Sequence, residues 1–145
     1  MSAAEVIAGY LSDDVKITKV KDHSAANTTD VTSDELDMAG YDAVLFLTSF
    51  GTAAANNLVT MHDSAVSGSG FAATVALKAS GTSDEDVLLD VHQPVQRYVK
   101  LVGSRGTSST LESIWAIQYR ARAKAITNAI SGTMATAKFT GPAAA

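Results

Sequence analysis

The 145 residues carry a net charge of −4, with 46% hydrophobic and 18% charged side chains, which suits one domain able to bury roughly two-thirds of its unfolded surface. Cysteine is absent and the three histidines are scattered, so a disulfide framework and a thiolate zinc site are excluded. Residues 1–90 hold fourteen of the fifteen acids against Lys16, Lys19, Lys21 and Lys78, a net of −10, while residues 91–145 hold seven basic residues against Glu112, a net of +6; the acidic total argues against free nucleic-acid binding, and acidic and basic strands are expected to lie side by side.

In chain order, "MSAAEVIAGYLSDD" at 1–14 lacks the basic n-region of a signal peptide and reads as an arm or a short helix ahead of the body. Period-two alternation then predicts strands over 15–21, 35–38, 42–49, 57–63, 73–78, 86–92, 97–104 and 113–120. Gly, Ser, Asn and Asp turns separate them, among them "SGSG" at 67–70 and "SGTSDED" at 80–86. The fold class expected is mainly β: a single antiparallel β-sandwich or jelly-roll domain over 15–122, with extended N- and C-terminal arms at 1–14 and 123–145. The longest strongly apolar run, "AVLFL" at 43–47, falls far below the ~20 residues that cross a bilayer, so a soluble protein with no membrane partner is expected.

In "YDAVLFLTSF" at 41–50, Ala43, Leu45 and Leu47 fall on one face and Val44 and Phe46 on the other. Apolar on both sides, this strand belongs at the centre of a sheet or against a partner. The stretch from Arg97 to Arg122, "RYVKLVGSRGTSSTLESIWAIQYRAR", reads as a basic hairpin of two strands and a polar turn, carrying Arg97, Lys100, Arg105, Arg120 and Arg122. Its first strand sets Val99 and Leu101 against Tyr98, Lys100 and Val102; its second sets Trp115, Ile117 and Tyr119 against Ile114, Ala116 and Gln118. Trp115 reads as core, and the surplus apolar surface as a contact with another chain around a twofold or threefold axis. From 123 onward the sequence is rich in Ala, Thr and Gly, and Ile126, Ile130, Met134 and Phe139 recur about every fourth or fifth position, as in an arm laid on another surface; an unattached tail is the other reading.

Catalytic chemistry finds no support. "MHDS" at 61–64 places His, Asp and Ser in succession, but neighbours on a strand point to opposite faces and do not make a triad. The acids of "SDED" at 83–86 with Asp90 lack calcium-loop spacing, and no Gly-Lys-Ser/Thr string exists to cradle phosphate. The expectation is therefore no enzyme, no cofactor and no metal.

Four stretches, "YDAVLFLTSFGT", "MHDSAVSGSGFA", "DVLLDVHQPVQRYVKLVGSRGT" and "AIQYRARAKAI", together resemble the small cement or decoration proteins of tailed bacteriophages. The resemblance covers roughly residues 37–126 and rests on Asp90, Pro94, Arg97, Tyr98, Val99, Lys100, Arg105, Gly106, Thr107, Gln118 and Tyr119. It implies a virion protein, made in the host bacterial cytoplasm, that sits on the outer surface of the head and stabilises the shell. The partners implied are the major capsid protein and copies of itself, as a homodimer or homotrimer, and not nucleic acid or membrane. Under that reading Arg97, Lys100, Arg105, Arg120, Arg122 and Lys124 are the candidate partner contacts, with Ile126, Ile130 and Phe139 from the arm. A small tail or neck protein shares the same composition and is the alternative; the arm after Arg122 is longer than the pattern, and the segment before Asp37 has no counterpart in it.

Overall fold

The computed structural model describes residues 9–78 and 86–123, together with 126, 128 and 137. After a single 3-10 turn at Leu11–Asp13 come strands β1 (Lys16–Lys21), β2 (Ser24–Asn27), β3 (Val31–Thr32), β4 (Leu36–Asp37), β5 (Tyr41–Ser49) and β6 (Leu58–Ser64). They are followed by β7 (Ala72–Lys78), β8 (Asp86–His92), β9 (Tyr98–Ser104), β10 (Ser109–Leu111) and β11 (Ile114–Ala121). All eight predicted strands form, each within two residues of its expected ends.

Pairing is antiparallel throughout. One sheet has the order β1-β11-β5-β8; the other runs β3-β9-β6-β7 with β4 also on β9, and β2 pairs with β10 as a separate ribbon. With β3 and β4 sharing one position, this is jelly-roll order, in which the chain crosses repeatedly between two facing sheets and β6 and β7 form a hairpin within one of them. The mainly β sandwich expected from the alternation is the fold observed.

The core lies between the sheets. Val20, Val44, Phe46, Leu89, Ile114 and Ala116 from the first sheet meet Val31, Leu36, Val59, Met61, Val99 and Leu101 from the second in one buried cluster. Each points inward from its strand, and full burial of a Val, Leu, Ile, Phe or Met side chain stabilises by about 1.5–3 kcal/mol. β5 lies between β11 and β8, as its two apolar faces predicted.

Two expectations are corrected. The stretch 97–122 is not a hairpin: β9 pairs with β3, β4 and β6, whereas β11 pairs with β1 and β5 in the opposite sheet. The connection between them is occupied by β10, whose partner is β2, so the chain crosses from one layer to the other. Trp115 is not core: Ile114, Ala116 and Gln118 are the buried set of β11, and Trp115 lies partly exposed on the outer face. Of the arm or short helix expected at 1–14, the described residues 9–14 hold the 3-10 turn; residues 1–8 lie outside the described residues.

Strands β2, β3 and β10 escaped sequence reading because "SAAN", "VT" and "STL" carry no run of apolar residues. A buried cation organises two of them. Arg105, 8% exposed, donates to the backbone carbonyls of Ala25 (2.7 Å), Thr29 (2.8 Å) and Ser109 (2.8 Å), and to Thr29 Oγ1 at 3.2 Å. It thus ties the β2-β10 ribbon to the end of β9.

Of the C-terminal arm, Ile126 and Asn128 are placed. The Ile126 amide donates to Asp13 O at 2.8 Å. Asn128 accepts from the Ile17 amide (2.6 Å) and donates to Ser12 O (2.9 Å) and Val15 O (3.0 Å), so its side chain occupies backbone groups at edge strand β1. Lys124, Ile130 and Phe139 lie outside the described residues.

Candidate functional site

Two surfaces stand out: one end of the sandwich and the outer face of the first sheet. The end is built where β5 and β9 begin and where β6, β8 and β11 finish. Its loop from Gln93 to Arg97 and the turn Met38–Asp42 line an open cleft of about 420 Å3, with Arg122 on its wall. Gln93 (φ 55°) is held in the left-handed region, and its amide donates to Asp42 O at 2.6 Å. Arg120 (φ 54°) is the other non-glycine residue there among those described, and Val95 stands 85% exposed at the rim. Non-glycine residues in this conformation cost roughly 1–3 kcal/mol and persist where surrounding bonds hold them.

Basic residues from the second half of the chain meet acids from the first half at this end, as the charge polarity predicted. Arg97 donates from Nε and Nη2 to the two carboxylate oxygens of Asp37, both at 2.9 Å. Arg122 reaches Asp42 Oδ1 from Nη2 at 2.9 Å. The Arg97 guanidinium, with a smaller contribution from the Ala39 amide, holds the Asp37 carboxyl below its ordinary value of 3.8. Burial alone pushes Tyr41, on the cleft wall, upward.

A depressed carboxyl contributes stability that is fully present above about pH 4 and fades as pH falls through the folded-state value. Both partners are about half exposed, so the contribution is at most about 1 kcal/mol. The expected result is an acid unfolding profile whose slope below pH 4 is shallower in Asp37→Asn than in the natural chain, with the two curves separated by a constant offset above pH 5. Urea midpoints measured from pH 2 to 6 check this, and parallel acid limbs refute it.

The outer face of the first sheet is set by register. Lys19, Trp115, Leu47 and Leu88 form one cross-strand row; Ile17, Ile117, Leu45 and Asp90 form the next. In the third, Tyr119 lies beside the small Ala43, and its hydroxyl donates to Asp90 Oδ1 beyond it. That bond, with partial burial, raises the Tyr119 pKa. Lys19 sits over the Trp115 ring at 5.8 Å and pairs with Asp22 at 3.0 Å. Six large apolar side chains thus point away from the core in two adjacent rows, five partly exposed and Leu88 61% exposed.

The remaining candidate contacts scatter. Lys100 lies on the outward set of β9, its ammonium 4.3 Å from the centre of the Phe71 ring. Arg120 is exposed, while Arg105 is at the far end and spends its donors inside the fold. Arg97, Arg120 and Arg122 are therefore the three brought to one end.

No family model and no curated protein matches this chain. Several solved structures are similar in shape, among them two that follow. The phage PBSX exported protein XepA is 14% identical with a TM-score of 0.49; the match covers 92% of this chain and 46% of XepA, so the chain spans about half the length of that protein. The Eiger TNF of S. frugiperda is 7% identical with a TM-score of 0.34, over 85% of this chain and 99% of that one. The chain thus has a structural neighbour among phage proteins, and both likenesses are too distant to carry an argument about its role.

Among the described residues no three His, Cys, Asp or Glu side chains converge on a possible metal site, and no helix is long and apolar enough to cross a membrane. "MHDS" behaves as alternation requires: Asp63 is buried on the inner face of β6 and His62 is on the outer one. Sequence reading missed what Asp63 does next. Its residue is 5% exposed, and its Oδ2 is buried without a hydrogen-bond partner among the described residues.

Proposed function

We propose that this chain is a structural virion protein that binds the outer surface of a tailed-phage head and stabilises the shell, in contact with the major capsid protein and with copies of itself. The observation that carries the reading is the outer face of the β1-β11-β5-β8 sheet: Ile17, Leu45, Leu47, Leu88, Trp115 and Ile117 form a contiguous apolar block that the core does not use. Such a block marks a surface meant for another protein. A shell binder needs no reaction centre, because many repeated copies acting together convert modest contacts into firm attachment. The sequence resemblance to phage cement proteins supports the same reading, and the jelly-roll body is the shape that resemblance implies.

The test is binding to shells. Purified chain is added to expanded heads, assembled without it, of the virus whose genome carries this sequence; occupancy is read by electron cryomicroscopy and shell strength by the temperature of DNA release. The expected result is regular outside decoration with a raised release temperature, and at least about tenfold weaker binding for Leu88→Asp, which buries a charge in the apolar block. Absence of binding, or label found on the tail or neck, overturns the reading.

A further inference from the structure

Asp63 is the one buried acid whose carboxylate the fold leaves incompletely satisfied among the described residues. It belongs to the inward set of β6 with Val59 and Met61, but it sits at the end of the sandwich, opposite Ala72 on β7 and Val99 on β9. There it lines a cavity of about 380 Å3 with Ala65, Val66, Ser69, Gly70, Ala72 and Gln96. Removing a carboxylate from water costs free energy that a counter-ion or a proton must offset. The nearest basic residues along β9 face other tasks: Lys100 lies over Phe71 on the outward side, and Arg97 is committed to Asp37.

The walls of the cavity are preformed. Ser64 Oγ donates to Ser69 O at 2.6 Å and accepts from the Val66 amide at 3.0 Å, closing the loop on itself. Glu35 braces the loop from outside, accepting from Ser67 Oγ and from the Gly68 amide, the latter at 3.0 Å. Gly68 and Gly70 take φ values of 83° and 74°, which the tight path requires and side chains resist. On the neighbouring strand β7 a register shift opposite Met61 and His62 leaves Thr74 as an extra residue, and such bulges redirect the side chains beside them.

We propose that this cavity is a socket for one cationic side chain, a lysine ammonium or an arginine guanidinium presented by a partner protein, with the Asp63 carboxylate as its counter-ion. Ala65, Val66 and Ala72 offer small apolar walls to an alkyl stem, while Ser69 and Gln96 supply polar atoms near the entrance. The pairing suits an organic cation better than calcium or magnesium, which take six or more oxygens. The inference holds whether the partner is a coat subunit or another protein, so it stands or falls apart from shell binding.

The experiment is an amide chemical-shift titration of the full chain with n-butylamine and n-propylguanidine, the two side-chain analogues, and with n-butanol as the uncharged control. Saturable shifts at Ser64, Ser69, Gly70 and Gln96 are expected with at least one cation. Binding should weaken about tenfold or more in Asp63→Asn, which keeps the shape and removes the charge. It should weaken equally in Ala72→Leu, which keeps the charge and fills the space. Absence of saturable shifts with both cations, the same shifts with n-butanol, or unchanged binding in a folded Asp63→Asn overturns the socket.

Discussion

Replacing Arg105 with alanine is expected to destabilise the protein by about 3–5 kcal/mol, because three carbonyls, that of Ser109 buried and those of Ala25 and Thr29 partly buried, lose charge-assisted donors at roughly 1–3 kcal/mol each. The carbonyls belong to Ala25, Thr29 and Ser109, and nothing else in the ribbon substitutes for the guanidinium: β2 has no buried side chain and β10 has only three residues. A loss of that size lowers the melting temperature by about 10–15 °C in a domain of this length. Arg105→Lys recovers less than half, since one ammonium cannot reproduce the planar fork that reaches three carbonyls at once. Calorimetry gives the magnitude, and hydrogen exchange gives the place: β2 and β10 amides lose protection first, while β5 and β11 keep theirs. An alanine variant that melts within about 3 °C of the natural chain would refute the clamp.

Phe46→Ala is expected to cost about as much by a different route. Phe46 is fully buried on the inward face of β5, the strand flanked by β11 and β8, and it lies in the cluster that joins both sheets. Truncation there removes transfer free energy and leaves a cavity, about 3–5 kcal/mol together, from a total stability of about 5–15 kcal/mol. The adjacent residue provides the contrast. Leu45 faces outward in the same strand, so Leu45→Ala is expected to change stability by no more than about 1 kcal/mol while weakening attachment to a partner. Urea denaturation of the two variants checks the alternation directly: equal losses at 45 and 46 would mean that both faces of β5 are core.

The proposed shell role and the Asp63 socket make separate demands on the molecule. The apolar block lies on the outer face of one sheet, whereas the socket opens beside the loop 65–70 at the end of the other. The paired arginines Arg97 and Arg122 border the neighbouring cleft, and Gln96 lines the socket while also lining that cleft. A partner loop docked at this end would therefore meet both cavities.

Much of the body was legible in the residues. Alternation in "YDAVLFLTSF", "DVLLDVH" and "YVKLVGS" located strands closely because a sandwich buries one face of each strand, and a buried face must repeat every second residue. The doubly apolar β5 was legible for the same reason. Charge polarity correctly anticipated ion pairs between the two halves, since unlike charges brought together by folding settle as neighbours. What the sequence by itself determined was thus the class, eight of the eleven strands and most of their inward residues, all consequences of periodicity along one strand. Only the tertiary structure decided the rest. Adjacency in sequence joined β9 and β11 into an apparent hairpin, yet jelly-roll crossing sent them to opposite sheets, and with them went the face on which Trp115 sits. Arg105 looked like a surface cation until three carbonyls from distant segments closed around it, and Asp63 looked like a chance neighbour of His62 until its strand ended over a cavity. Burial of a charge, and the side of a sheet that meets another protein, depend on which strands lie across the sandwich from one another, and that pairing is a property of the whole chain and not of any local pattern.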